Sequence, residues 1–244
     1  MKGVGYVQAL QEYLFEKNYR LKPKTEIPTL KTDLPILSPQ DDVLVWFGHS
    51  FYFIQLYGKK ILIDPVLSGS ATPLPFGTKS FEGTDIYTPE DLPEIDYLFI
   101  SHDHWDDLDY ETVVQIKDKV KTVICGLGAG AHLERRGYDS ERIIERDWFE
   151  KIELENGQYD RKWRYVHLSP DEILTVAQEL KAKRLLPVHC GKFVLANHPW
   201  DEPLEKIMLN SEGKQIDILT PLIGETVRRK DLGQQFQTWW KNPD

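Results

Sequence analysis

The chain has 244 residues, 41% of them hydrophobic and 28% charged, a composition that excludes disordered and fibrous classes and suits one sizeable folded domain. Its formal net charge is −9 with no standout Lys/Arg cluster, so the electrostatic footprint that nucleic-acid binding needs is missing. No apolar run approaches the ~20 residues that span a bilayer, residues 1–20 lack the order of a signal peptide, and two cysteines are too few for a disulfide framework; a cytoplasmic location is the default expectation.

Residues 1–41 read as an N-terminal arm. It carries a short helix over 6–15, then a polar stretch with Pro23, Pro28, Pro35 and Pro39, and proline fixes its own torsion and biases its predecessor away from helix. Residues 42–244 read as the domain proper. Val43, Val45 and Phe47 alternate, then Phe51, Phe53, Gln55 and Tyr57, then comes a Gly58-Lys59-Lys60 turn and the apolar run Ile61-Leu62-Ile63. These are strands joined by a hairpin, the third buried on both faces. Asp64-Pro65 ends that run, and the stretch to Thr88 is a long loop of the kind that compact domains keep for function.

A strand over 97–100 runs straight into Ser101-His102-Asp103-His104-Trp105-Asp106-Asp107, which puts a polar cluster at a strand's carboxyl end, where α/β folds hold their ligands. Further on, the pattern predicts a helix over 109–119, a strand over 122–125 and a glycine-rich turn over 126–130. A helix over 170–182, capped by Ser169 ahead of Pro170, and a strand over 185–188 ending at His189 complete the pass. Helices, strands and loops alternate throughout, an α/β (α+β) pattern.

His102, His104 and Asp106 alternate on an extended segment and so point to one side. Imidazoles with a carboxylate are the usual ligands of zinc and similar first-row metals. His189 is a further candidate ligand, since Cys190-Gly191 after it lets the backbone pass close to an ion; a structural histidine is the alternative. His49, in Gly48-His49-Ser50, reads equally as a substrate contact or as a hydrogen-bonded loop support. His167 is balanced between lining a pocket and capping or packing. Asp64 either accepts the second N–H of a metal-bound histidine or anchors a loop. His132 and His198 read as structural or surface residues, and Cys190 as a small buried side chain.

With these residues in hand, the sequence resembles the metallo-β-lactamase superfamily, in the branch of N-acyl-phosphatidylethanolamine phospholipase D and the ascorbate-6-phosphate lactonases. The resemblance rests on Trp46-Phe47-Gly48-His49-Ser50, Leu62-Ile63-Asp64-Pro65, Ser101 to Asp106, Glu155-Asn156-Gly157-Gln158-Tyr159, His167-Leu168-Ser169-Pro170-Asp171-Glu172 and Val188-His189-Cys190-Gly191, in that order. It implies a four-layer αββα sandwich with a dinuclear site at one edge, usually of zinc, with manganese or another first-row metal as alternatives. His102 and His104 would serve one metal, and Asp106 and His189 the other. Asp106 would orient a metal-activated water for attack on a phosphodiester, a lactone or an amide.

Two departures accompany the resemblance. The family motif HxHxDH ends in histidine where this chain has Asp107, an altered ligand or none. Several tens of residues are also missing before Glu155, as by an internal deletion, and with them a third histidine and the bridging aspartate. The second sheet is therefore expected to be incomplete, which suggests a homodimer that covers the open edges. The leading functional expectation is a metal-dependent hydrolase of a small-molecule or lipid-like phosphodiester or lactone-like ester. The alternative is a non-catalytic or impaired relative that binds one metal or none.

Overall fold

In the computed structural model of the protein, residues 20–74, 77–147, 150–154, 157–160 and 168–241 are described, with the backbone alone for 151–160. The expected helix over 6–15, His167 and Glu155 lie outside the described residues. Three strands, β1 (Val43–Trp46), β2 (Tyr52–Leu56) and β3 (Lys59–Ile63), form an antiparallel meander. Between β2 and β3, Tyr57 and Gly58 both have positive φ, 50° and 75°, as the two-residue hairpin turn that matches strand twist demands. The turn thus falls one residue before the expected one, and Lys59 and Lys60 already pair with Leu56 and Gln55.

Beyond β3 the sheet turns parallel, with β4 (Ile95–Ile100), β5 (Val120–Gly126) and β6 (Ile143–Arg146) laid side by side. A hairpin of β7 (Lys151–Leu154) and β8 (Gly157–Asp160) follows, and a parallel pair of β9 (Arg184–Leu185) and β10 (Asp217–Ile218) comes later. The last strand, β11 (Thr226–Arg228), returns to pair with β1. The central sheet therefore has seven strands in the order β11-β1-β2-β3-β4-β5-β6. Among the described residues the other strands form two short pairs, β7 with β8 and β9 with β10. The strand expected over 185–188 shrinks to Arg184–Leu185, because Pro187 has no N–H to give a ladder.

The buried run of β3 has the two-sided core that its composition predicts. Leu62, Leu98, Ile100, Val123 and Cys125 pack into one cluster on one face of the sheet. Their alternating neighbours Ile61, Phe99 and Ile124 pack into another, as the two-residue period of a strand requires.

Among the described residues four helices flank the strands: α1 (Tyr110–Ile116), α2 (Ala129–Glu134), α3 (Pro170–Glu179) and α4 (Glu202–Ser211). Asp109 caps α1 by accepting from Glu111 N–H, and its second carboxylate oxygen accepts from Ser68 N–H at 2.9 Å and Thr112 Oγ1 at 2.6 Å. One carboxylate so ties the helix start to the loop after β3. Ser169 and Glu172 form the reciprocal cap of α3. Of the expected arm, residues 20–41 are described, and they are held against the domain: Ile27 and Leu34 are buried, and Leu30 N–H donates to Ile223 C=O at 2.9 Å.

Candidate metal centre

Three loops at one edge of the sheet meet at the candidate site. The first, between β1 and β2, doubles back on itself: Gly48 has φ 88° and His49 φ 54°. A Cβ on Gly48 would sit 3.0 Å from Ile223 Cδ1 and 3.1 Å from Lys192 Cδ, so glycine is required there by both torsion and space. Trp46 Nε1–H donates to His49 C=O at 2.9 Å and fixes the turn. The second loop carries His189, also left-handed at φ 65°. The two loops are zipped by their backbones, His49 N–H to Cys190 C=O and His189 N–H to His49 C=O, both at 3.0 Å.

The third loop follows β4. Asp64, buried at the end of β3, accepts Ser101 N–H at 2.7 Å, which anchors the start of this loop. Past Ile100 the chain leaves the strand, bends at Asp103 and turns over residues 105–107, with Asp107 N–H and Leu108 N–H both donating to His104 C=O at 3.1 and 2.6 Å. That turn swings two successive carboxylates, Asp106 and Asp107, toward His49 and His189. One donor atom from each of His49, Asp106, Asp107 and His189 lies within 4.8 Å of all the others.

Within the group, His49 Nε2 is 3.1 Å from Asp106 Oδ2 and His189 Nε2 is 4.0 Å from the same oxygen. Ser50 Oγ lies 2.6 Å from His189 Nδ1. Burial holds the His49 imidazole below its ordinary pKa, so near neutrality it is uncharged and donates to Asp106. Burial pushes the Asp106 carboxyl up, but the hydrogen bond from His49, with the charge that His49 and His189 take on at acid pH, outweighs it and holds the group at about 2. Asp107 goes the other way, to about 7, raised by burial and then by the neighbouring Asp106 charge. Both Asp107 oxygens are buried without a hydrogen bond that meets ordinary geometry.

A buried, unsatisfied carboxylate beside an ionised one is costly unless a cation joins them. Two imidazoles and two carboxylates are also the mixed nitrogen and oxygen set that suits first-row divalent ions. The residues present therefore fit a metal.

Of the ligands expected from the sequence, Asp106 and His189 lie in this group. His102 borders it through Asp107, Nε2 to Oδ2 at 3.2 Å. His104 is exposed and stands edge-on to His102 with ring centroids 4.4 Å apart. His49 and Asp107, expected in the pocket or around the ligands, are members of the group itself. His132 bonds to the Tyr110 hydroxyl at 2.8 Å and His198 is exposed. Cys125 and Cys190 are free and buried, and burial pushes the Cys190 thiol up to about 12.

Two residues went unnoticed in the sequence. Ser50 is one, and the signal was its place beside His49. Lys192 is the other: it is buried to 2% exposure, its Nζ 3.0 Å from Asp85 Oδ1 and 3.4 to 3.5 Å from the carbonyls of Val66 and Phe47. A lysine between Gly191 and Phe193 in an otherwise apolar stretch was the available hint. It ties the His49 loop, the loop after β3 and the His189 loop together.

Residues 59–156 match the family model described as a Beta-lactamase superfamily domain. An uncharacterized protein of Mycobacterium tuberculosis is 24% identical over 274 aligned positions, which take in 80% of this chain and 71% of that protein. The aligned positions outnumber the residues this chain supplies, so the relative carries several tens of residues with no counterpart here. The N-acyl-phosphatidylethanolamine-hydrolyzing phospholipase D 1 of Caenorhabditis elegans is 32% identical over 130 residues, 48% of this chain, and the match spans only 35% of that protein. Among solved structures, a metallo hydrolase of Ignicoccus hospitalis shares the fold at a TM-score of 0.55 and 14% identity, covering 78% of this chain and 98% of that one. No helix among the described residues is long and apolar enough to cross a membrane.

Proposed function

Because this chain belongs to the metallo-β-lactamase superfamily, we propose that it is a metal-dependent hydrolase of a phosphodiester or lactone-like ester, with its ion held by His49, Asp106, Asp107 and His189. The observation that carries this reading is the convergence of those two imidazoles and two carboxylates within 4.8 Å. A first-row divalent ion bound there would lower the pKa of a coordinated water toward neutrality and supply hydroxide near pH 7.

The chain's own residues do the rest. Asp106, ionised at neutral pH, would orient the attacking water. His49 holds Asp106 through its Nε2–H. Ser50 sets the orientation of the His189 ring, and Asp64 holds the loop that carries both aspartates. His102 and His104 stand beside the group as donors for a second ion, zinc or manganese.

A second reading has its own support: the several tens of residues that the Mycobacterium tuberculosis relative has and this chain lacks. On that reading the chain is a non-catalytic or impaired relative, holding one ion or none. Metal analysis by mass spectrometry on protein purified without chelator or affinity-tag metal separates the two, paired with a bis(p-nitrophenyl) phosphate and p-nitrophenyl ester assay on the same sample. About two equivalents with turnover supports the hydrolase. At most one equivalent without turnover supports the impaired relative.

A further inference from the structure

A cleft of about 310 Å³ opens beside His189, and most of its walls are apolar, with Leu21, Phe193, Leu195, Trp200 and Pro203 alongside the imidazole of His198. The His189 side chain is 28% exposed and forms part of the wall, so the cleft borders the candidate metal centre at this residue. We propose that this cleft is the substrate's apolar subsite and takes the uncharged alkyl or aryl group of a carboxylic ester or lactone, in preference to an anionic phosphodiester. The proposal rests on the hydrolase reading of the same site and narrows its substrate class.

The chemistry of the walls decides the class. No Lys, Arg, Asp or Glu occurs among the described residues that line the cleft. Of the cations next in sequence to lining residues, Lys192 turns inward, where Asp85 engages its ammonium, and is buried to 2% exposure; Arg20 pairs with Asp201, and Lys22 is exposed and is not among the lining residues. An anion in the cleft would therefore lose its hydration with only the imidazoles of His189 and His198 as partners among the described lining residues, and His198 already faces the Glu202 carboxylate at 3.9 Å. An alkyl or aryl group loses nothing and gains contact with Phe193, Leu195 and Trp200. At about 30 Å³ for each water it could otherwise hold, the cleft has room for roughly ten water-sized groups, which fits an octyl chain or a two-ring aromatic. Each methylene buried in such walls improves binding by about threefold to fourfold.

Binding is tested on metal-free protein by calorimetric titration with N-octylacetamide, N-ethylacetamide and octyl phosphate. The expected result is that N-octylacetamide binds, that N-ethylacetamide binds at least 100-fold more weakly, and that octyl phosphate binds at least tenfold more weakly than N-octylacetamide. Leu195→Arg, at a side chain already 46% exposed, should keep the fold and weaken N-octylacetamide at least tenfold. Trp200→Ala checks the same wall from its buried side, with circular dichroism to confirm folding.

Equal binding of the long and short amides, tighter binding of octyl phosphate, or an unchanged affinity in Leu195→Arg overturns the subsite. Hydrolysis is read separately, on zinc-loaded protein with p-nitrophenyl octanoate and p-nitrophenyl acetate. If N-octylacetamide binds as expected and neither ester nor bis(p-nitrophenyl) phosphate is cleaved, the hydrolase reading fails and the subsite stands. If both esters are cleaved at equal kcat/KM, the hydrolase reading stands and the subsite fails.

Discussion

Asp107 Oδ2 lies 3.2 Å from His102 Nε2, in a pocket where the aspartate is 1% exposed and its partner imidazole 23%. The contact joins the group of His49, Asp106, Asp107 and His189 to the histidine pair on its rim, and it makes Asp107 the hinge between the two halves of the site. Its carboxyl is pushed up to about 7 by burial and by Asp106, so without a cation this side chain opposes folding above that range.

Asp107→Asn keeps the volume and removes the charge, and it separates the two roles. Zn²⁺ affinity, measured in competition with a chromophoric chelator, should fall by at least about tenfold, the scale seen when ligands or their supports are lost. The metal-free variant should melt at or above the wild-type temperature at pH 8, because the asparagine has no charge to bury. An unchanged Zn²⁺ affinity would remove Asp107 from the site.

Lys192 and Asp85 make an asymmetric pair, since the lysine is 2% exposed and the aspartate side chain 38%. Lys192→Met leaves Asp85 free to hydrate, and apolar replacement of a buried charge is often neutral or better; urea unfolding should show a change within about 1 kcal/mol. Asp85→Ala strands the buried ammonium and should cost about 3 kcal/mol. The reverse ranking would mean that the pair does not carry the junction of the three loops.

The central strands were legible because their patterns are local. The alternation of β1 and β2 and the apolar run of β3 state their own burial, and Ser169-Pro170 announces a helix start. The site was half legible for the same reason. His102, His104 and Asp106 suggest one face only if the segment stays extended, and the turn after His104, closed by two bonds to its carbonyl, brings Asp107 inward with Asp106. His49 meets His189 through a backbone pairing across 140 positions of sequence, which no local pattern encodes. Residues 20–41 looked like a surface arm from their prolines, yet Leu34 packs with Phe47 and Tyr87 in the core, a tertiary fact.

The docking of that segment has a pH signature. Tyr87 OH accepts from Thr32 N–H at 2.7 Å and donates to Thr32 C=O at 3.1 Å, and burial raises its hydroxyl from 10.0 to about 12. A raised acid stays protonated in the folded chain while the unfolded chain ionises, so its contribution is intact below pH 10 and declines as pH rises toward 12. Wild-type stability should therefore fall more steeply than that of Tyr87→Phe across pH 10 to 12 in urea titrations. Tyr138, also raised by burial, is common to both proteins and cancels in the difference. Parallel curves would mean that Tyr87 ionises freely in the folded state.

Ser50 offers the cleanest test of how the candidate ligands are held. Its hydroxyl lies 2.6 Å from His189 Nδ1, on the ring nitrogen opposite the Nε2 that faces Asp106. A partner on one nitrogen fixes the tautomer and direction of the other, and loss of such a partner lowers metal affinity by about 10- to 100-fold. Ser50→Ala removes only the hydroxyl, at a position whose backbone stays held by the pairing of its neighbours His49 and His189. Thermal stability of the metal-free chain should change little, while Zn²⁺ affinity falls by the stated factor and the imidazole ¹⁵N shifts of His189 move toward a mixture of tautomers. Ser50→Thr retains the hydroxyl and should restore most of both readouts. If Ser50→Ala binds Zn²⁺ as the wild type does, with the His189 shifts unchanged, then the ring is set by Asp106 and the backbone alone, and the serine has no part in the centre.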